Sequence, residues 1–340
     1  MLGAVNASSI RKWVVTLLPW AITACILGYI GLTTDLQQFW ETLRNTNFLG
    51  FVPTVLAVCI TVFLFDTWCL RLLFTRFNAP TTYREMLPLK GTSYFLNVIN
   101  YNAAAAGIAL FFKKRKGVPF LEALSSMLWM NFIDIVSLAL LMLLGMGLAG
   151  VGGLGPDEPS VLLGTAGFIL LVLVGSCIYW NAGFNWLILG RFRTWTIFTA
   201  FKKATLKDYA QFIGLRVAFV GTYIVSQWAC MPFFNLDASL RELFLFVPVL
   251  TFVGTIPLTT VAGMGTVQVL MRHYFYDFVP PNASEQLVHA HIDAYSTTTI
   301  LSFVLCRILI GYVFMGSVAK DFSQDVPTET HSEDSSEKVA

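Results

Sequence analysis

The sequence predicts an all-α, polytopic membrane protein with six transmembrane helices and two re-entrant hairpins in an inverted-topology repeat. Three observations lead to this prediction. Hydrophobic residues make up 56% of the 340 residues and charged residues only 12%, whereas a soluble domain is about a quarter charged. Long apolar segments recur along the chain, and basic residues gather in alternate connections between them. This composition excludes an ordinary soluble enzyme, a disordered chain and a nucleic-acid binder that depends on its charge.

Six apolar segments are long enough to cross a bilayer, which takes about 20 mostly apolar residues. They are residues 13–32, 48–73, 120–148, 161–180, 209–231 and 294–319. Between the first two, residues 33–46 have the pattern of an amphipathic helix that lies in the membrane interface.

Two further apolar segments are interrupted by polar, glycine or proline residues. Residues 88–112 are interrupted at 97–102, and residues 243–278 are interrupted at 256–265. Each half then has about 10–14 residues, which is too short to cross a bilayer alone.

Basic residues, which collect on the cytoplasmic side of a membrane, decide how the first interrupted segment is placed. Arg11 and Lys12 put the N-terminus in the cytoplasm. If residues 88–112 crossed, the four bases at 113–116 would lie outside, and the acidic and basic loops that follow would both have the wrong sign. We therefore expect a re-entrant hairpin that is open to the cytoplasm.

Flanking charges do not decide between crossing and re-entry for residues 243–278. If this segment is a hairpin open to the outside, the chain has two halves, roughly residues 10–150 and 160–319. The two halves then have the same order of elements in opposite orientations. Many secondary transporters have this architecture, with the binding site at discontinuous helices between the repeats. The membrane domain is then 1–319, with a charge of +6, and it is followed by an acidic cytoplasmic tail at 320–340 that we expect to be disordered.

The interrupted segments supply the first candidate substrate-binding residues. Amide side chains mark the first tip at Asn97, Asn100 and Asn102. At the second tip, Gly263 and Gly265 precede a half-helix whose free N–H groups would attract an anion such as a lipid phosphate. The alternative is a packing kink, in which small residues only allow close helix contact.

Ionisable residues within membrane spans are costly and indicate function by default. The sequence has Asp66, Asp134, Arg216 and Arg307 in such positions. We expect interior ion pairs or a phosphate site at the two arginines, with Asp66 and Asp134 as possible proton carriers. The alternative is that the arginine side chains extend to the membrane surface.

Other chemistry has little support in the sequence. The six cysteines all lie in apolar segments without a CxxC pattern, so we interpret them as small buried side chains. His289, His291 and Asp293 resemble a metallohydrolase run, but on a helix His291 points away from the other two. We therefore expect a protein that is not an enzyme and has no cofactor or metal.

Two stretches resemble the flippase-like membrane region of lysylphosphatidylglycerol synthases and the related stand-alone membrane proteins. One is residues 102–107, followed by a basic loop and Asn131-Phe132-Ile133-Asp134; the other is residues 256–268, with Gly263-Met264-Gly265 and Gln268. The sequence departs from the family where Asn131 replaces Arg, Gln268 replaces Glu, and Ile108 and Leu110 replace charged residues. The family's soluble aminoacyl-transferring domain has no counterpart in these residues, so we do not expect this chain alone to make the aminoacyl lipid.

The resemblance implies translocation of a lipid or amphiphile across the cytoplasmic membrane. The partner is then a membrane lipid, either a phospholipid or a polyprenyl-linked amphiphile. The alternative is an accessory or scaffolding subunit that binds a lipid-modifying or glycosyl-transferring enzyme. The sequence predicts no oligomeric state.

Overall fold

The computed structural model describes residue 28 and residues 31–99, 101–152, 154–181, 187–255, 265–280 and 283–323. Within these ranges all regular structure is helical, as predicted. In chain order the α-helices are α1 (Leu36–Asn45), α2 (Phe48–Phe77), α3 (Tyr83–Ile99), α4 (Tyr101–Lys116), α5 (Phe120–Ala149), α6 (Glu158–Asn181), α7 (Leu187–Phe192), α8 (Thr199–Lys203), α9 (Leu206–Cys230), α10 (Leu240–Thr255), α11 (Thr266–Tyr274) and α12 (Glu285–Ser323).

Five helices of the described chain are long and apolar enough to cross a membrane. These are α2, α5, α6, α9 with its 3₁₀ extension to Phe234, and α12 as far as Gly316. They confirm five of the six predicted spans. Most of the sixth predicted span, residues 13–32, lies outside the described residues. The tail beyond Ser323 lies outside them entirely. The predicted helix at 33–46 is present as α1, which Asp35 caps through the Gln37 N–H.

Helices α3 and α4 form an antiparallel hairpin. Lys116 Nζ lies 2.9 Å from Glu85 Oε1 at its open end, and Gly107 faces Leu96 near its tip. The arms have 17 and 16 residues. They contain the predicted apolar halves of about 10–14 residues and continue beyond residues 88–112 into 83–87 and 113–116. Asn97 is part of α3, so the predicted interruption at 97–102 begins later than expected.

Helices α10 and α11 form a second antiparallel hairpin. The Phe246 and Tyr274 rings stack at 4.9 Å, and Gly254 faces Val267 nearer the tip. The two helices have 16 and 9 residues. The connection at 256–264 lies outside the described residues. Helix α11 begins after Gly265, whose φ of 91° suits a residue without a Cβ.

The open ends of the two hairpins lie at opposite ends of the bundle. We name as the basic end the one where α2 ends and α5 and α9 begin; there Arg76 pairs with Asp208 and Lys203 with Glu122. The open end of α3–α4 is at the basic end, because Lys116 also bonds the Pro80 carbonyl beyond α2. The open end of α10–α11 is at the opposite end.

Each hairpin packs its first arm on the last long helix of the other half of the chain. Helix α3 lies against α12, where a Cβ on Gly311 would be 2.5 Å from Phe95 Cβ. Helix α10 lies against α5, where a Cβ on Gly145 would be 2.5 Å from Leu245 Cα. These glycines bring the paired backbones into direct contact.

Helices α2 and α9 cross antiparallel at the centre, with the Phe65 and Phe219 rings stacked at 6.0 Å. Helix α6 lies at the periphery, and only Ala166 and Ile169 of its residues are buried. Many of its other apolar side chains, among them Phe168, Leu171 and Val174, are exposed, which suits a helix in contact with lipid.

Candidate functional site

Five helices each place one ionisable side chain in the interior of the bundle. These side chains are Asp66 (α2), Lys90 (α3), Asp134 (α5), Arg216 (α9) and Arg307 (α12). We name this group the central charge cluster. At about 1.5 Å per residue, Asp66, Asp134 and Arg216 lie about 15–21 Å along their helices from the basic end. That distance is about the middle of a hydrocarbon layer of about 30 Å.

Asp66 connects three of the surrounding helices. Its Oδ2 lies 2.7 Å from Lys90 Nζ, and its Oδ1 lies 3.2 Å from Arg216 Nη1. The Tyr94 hydroxyl donates to the same Oδ2 at 3.3 Å. The carboxylate therefore has two cations and a neutral donor, which satisfy most of its acceptor positions.

Arg216 links the two acids of the cluster. Its Nε donates to Asp134 Oδ1, its Nη1 contacts Asp66, and its Cζ lies 4.0 Å above the Phe219 ring. Its side chain is 9% exposed. The predicted interior pairing is therefore confirmed for Arg216, and the alternative in which it extends to the membrane surface is excluded.

Lys90 belongs to the site although it is not among the candidate residues that the sequence indicates. It is 8% exposed and pairs with Asp66 rather than with solvent. One signal could have identified it: Lys90, Tyr94 and Asn97 have the i, i+4, i+7 spacing of a single helical face. Without knowledge that residue 97 is helical, that spacing has no meaning.

Arg307 lies beside the paired charges and has a different environment. Its Cζ lies 5.8 Å from the centroid of the Tyr94 ring, and it interacts with the Tyr223 hydroxyl. Among the described residues it forms no salt bridge. It lines a small cavity together with Tyr94, Tyr223, Cys59, Val62, Phe303, Cys306 and Ile310.

The first hairpin tip is described in part. Asn97 lies on the same face of α3 as Lys90. Its Oδ1 is buried and accepts no hydrogen bond from the described residues. Asn100 lies outside the described residues, and for Asn102 only the helical backbone of α4 is described. Their predicted role in binding substrate remains a prediction.

The second hairpin tip has a self-contained cap where it is described. The Gly265 N–H donates to Gln268 Oε1 at 3.0 Å, and Gln268 Nε2 donates to the Thr297 hydroxyl at 2.9 Å. The Gly265 N–H is therefore occupied, which leaves an anion only the N–H groups that follow it. Gly263 lies outside the described residues.

The three side chains of the histidine run have separate partners. Asp293 pairs with Arg272, with Nε to Oδ1 at 2.7 Å, and His291 Nδ1 contacts the Phe234 carbonyl at 2.9 Å. The His289 ring lies against that of Tyr276. In the described part of the chain no group of three His, Cys, Asp or Glu side chains could hold a metal ion, and the five described cysteines are free thiols.

Comparison with known families gives a match over most of the chain. The family model described as the lysylphosphatidylglycerol synthase TM region matches residues 16–283. This range includes Asp66, Lys90, Asp134 and Arg216 of the central charge cluster, whereas Arg307 lies beyond it. No curated protein and no solved structure matches the chain.

Proposed function

The chain belongs to the family of the lysylphosphatidylglycerol synthase transmembrane region, and from this premise we propose that it moves a lipid or related amphiphile between the leaflets of the cytoplasmic membrane. It acts as a transporter and catalyses no covalent reaction. Family membership and the five apolar helices make it a multi-pass membrane protein related to membrane lipids. The lipid translocation is our proposal.

The central charge cluster carries this proposal. Charged side chains in the hydrocarbon layer are expensive and are found where substrates or ions pass. A buried ion pair is also poor evidence of a purely structural role, because apolar side chains of similar volume are often as stabilising. Five ionisable groups that converge from five helices at mid-depth therefore favour a polar path for a headgroup.

The arrangement of the hairpins supports a path with access from both sides. With hairpins open at opposite ends, α2 and α9 cross near Asp66 and Arg216, and Gly145 and Gly311 occupy corresponding contacts in the two halves. These relationships support an inverted repeat, and we propose that its two-fold axis passes near the Asp66–Arg216 pair. Such repeats alternate access by rocking one half against the other around a fixed site.

The basic end supports the predicted orientation. Basic residues gather at the end where α2 ends and α5 and α9 begin, and this end would face the cytoplasm under the positive-inside rule. Each hairpin then enters and leaves the membrane from a single side, the first from the cytoplasm and the second from the outside. With the first span added, the N-terminus and the end of α12 are cytoplasmic.

The cluster also supplies a means of coupling. Arg216 contacts both Asp66 and Asp134, and Lys90 contacts Asp66. A headgroup that engages one of the bases frees its carboxylate, which can then take a proton. Asp66 and Asp134 are therefore the residues at which we propose proton exchange during the transport cycle.

A leaflet-resolved assay tests the transport. Proteoliposomes containing the full chain and headgroup-labelled lipids are treated with a membrane-impermeant quencher, and we expect faster loss of signal from the inner leaflet than in empty vesicles. Arg216→Gln should reduce that rate at least about tenfold, because the cluster loses its central cation. Arg84→Gln, an exposed change on α3, is the matched control and should keep the rate. Rates equal to those of empty vesicles for a broad lipid panel would overturn the proposal.

The accessory-subunit alternative is favoured by one feature, the exposed bases at residues 113–115 on the basic end. Such a surface suits an acidic partner. Deletion of residues 321–340 and pulldown of membrane partners separates the two functions. A transporter keeps its rate in proteoliposomes, whereas a docking subunit loses its partner and shows no rate at all.

A further inference from the structure

The central charge cluster is not neutral. It contains three basic side chains, Lys90, Arg216 and Arg307, and two acidic ones, Asp66 and Asp134, so its fully ionised form has a charge of +1. No further acidic side chain of the described residues pairs with it. A single uncompensated charge at mid-membrane is costly. The cluster is therefore one negative charge short of neutrality.

The excess charge is located at Arg307. Both carboxylates of the cluster are engaged, Asp66 by Lys90 and Arg216, and Asp134 by Arg216. Arg307 has two tyrosines as its partners among the described residues: its guanidinium lies beside the Tyr94 ring and interacts with the Tyr223 hydroxyl. Its planar fork of N–H donors is the group that suits bidentate binding of a phosphate.

The cavity beside Arg307 has the chemistry of a headgroup site. Arg307 and the two tyrosines line it together with the apolar side chains of Val62, Phe303 and Ile310. On the opposite face of α12, Leu305 and Leu309 are exposed and would contact lipid chains. Helix α12 therefore borders both the cavity and the hydrocarbon layer that would hold the acyl chains.

We propose that Arg307, with the hydroxyl of Tyr223, binds the phosphate of an amphiphile whose headgroup has a net charge of −1. This inference rests on the proposed function and adds to it the charge class of the substrate. A headgroup of charge −1 neutralises the cluster, a zwitterionic one leaves it at +1, and a cationic aminoacyl headgroup raises it. The site thus selects against the aminoacylated lipids that the family name indicates.

The conformation described is a closed one. The cavity has room for about one water molecule, so a phosphate reaches Arg307 only when α3 and α12 separate. The Gly311 contact with Phe95 holds these helices together here. Rocking of the first hairpin on α12 would open the cavity toward the lipid.

Binding of defined lipids to the purified full chain tests the inference. Native mass spectrometry in detergent would measure dissociation constants for short-chain phosphatidylglycerol, phosphatidylethanolamine, lysylphosphatidylglycerol and diacylglycerol. Free glycerol 3-phosphate distinguishes a lipid headgroup from a soluble phosphate. We expect phosphatidylglycerol to bind at least about tenfold more tightly than the other lipids, and the soluble phosphate to bind more weakly than the lipid because it lacks acyl chains.

Variants locate the site. Arg307→Gln should weaken phosphatidylglycerol binding about tenfold and remove the preference over phosphatidylethanolamine, because a charge-assisted hydrogen bond is lost. Arg307→Lys should restore part of the affinity, and Arg84→Gln should bind as the unchanged protein does. If Arg307→Gln fails to fold, Tyr223→Phe tests the site instead. This variant keeps the charge of Arg307 and should weaken phosphatidylglycerol binding severalfold, because one hydroxyl is lost.

Two results would overturn the inference: tighter binding of lysylphosphatidylglycerol than of phosphatidylglycerol, or unchanged phosphatidylglycerol affinity in both Arg307→Gln and Tyr223→Phe. Failure of the proposed function looks different. Phosphatidylglycerol would then bind in an Arg307-dependent manner while no lipid is translocated. Tighter binding of glycerol 3-phosphate than of the lipid would assign the site to a soluble anion and also contradict the inference.

Discussion

Gly145 of α5 lies directly against the backbone of Leu245 in α10, where an added Cβ would be 2.5 Å from Leu245 Cα. Gly311 of α12 has the same relationship with Phe95 of α3. Each contact joins the first arm of one hairpin to the last long helix of the other half of the chain. Both interfaces are backbone-close contacts of the kind that small residues permit in membranes.

We predict that Gly145→Ala destabilises the protein, because the new methyl group would meet backbone atoms that cannot move aside without shifting a helix. Overpacking of this kind costs about 1–3 kcal/mol. Gly147→Ala, two residues further along α5, is the matched control, since nothing lies within 4 Å of its added Cβ. Melting temperatures in detergent, measured by fluorescence-detected size exclusion, should fall for Gly145→Ala only. Equal melting temperatures for the two variants would contradict the close contact.

A second prediction concerns the coupling between Asp134 and Arg216. Removal of one partner of a buried pair leaves an uncompensated charge and costs about 3–5 kcal/mol. We expect Asp134→Asn and Arg216→Gln each to destabilise strongly, and the double variant to lose clearly less than the sum. The matched cycle uses Glu122 and Lys203, whose lysine is 46% exposed; its coupling should stay below about 1 kcal/mol.

Thermal or denaturant unfolding in one detergent gives both cycles under the same conditions. Additive effects in the Asp134–Arg216 cycle would show that the pair is not coupled in the folded protein. In that case the central charge cluster would have to be assigned other partners.

Local sequence patterns predicted the spans well and the site only in part. Runs of about 20 apolar residues and the positive-inside rule depend on the bilayer alone, so they identified five described helices and two interrupted segments without knowledge of the packing. Asp66, Asp134 and Arg216 were found because a charge inside an apolar run is conspicuous. Lys90 was not, because it lies in a short polar stretch, and only the contact with α2 shows that it is buried.

The hairpins show a second limit of local patterns. A run of asparagines indicates a break, but Asn97 remains helical because α3 packs on α12 along its length. Tertiary packing of this kind overrides the preference of asparagine for turns. Each hairpin packs on a helix of the other half of the chain, which joins residues far apart in sequence, such as Gly311 and Phe95, and no local pattern contains that information.

A third prediction concerns Asp208 at the start of α9. Its carboxylate accepts from the Thr205 N–H at 2.7 Å, which completes a capping box, and binds Arg76 through two bonds of 2.6 and 2.8 Å. Asp208→Ala removes the bond from the Thr205 N–H, which is one half of the capping box, together with the ion pair, and we expect a loss of about 1–3 kcal/mol. Lys207→Ala, an exposed neighbour in the same turn, should change stability by less than about 0.5 kcal/mol. The midpoint of thermal unfolding measures both, and equal midpoints would exclude a role for the cap.

A fourth prediction is the topology. If both hairpins are re-entrant, a cysteine at Arg115 lies in the cytoplasm and one at Pro280 lies outside, because each position lies at the open end of its hairpin. In a variant without the native cysteines, a membrane-impermeant maleimide added to intact cells should label Pro280→Cys at once and Arg115→Cys only after permeabilisation. Thr194→Cys and Asp157→Cys, in the exposed loops on either side of the membrane, calibrate the inside and outside signals. Labelling of Arg115→Cys in intact cells would mean that α3 and α4 together cross the membrane, and labelling of Pro280→Cys only after permeabilisation would mean the same for α10 and α11.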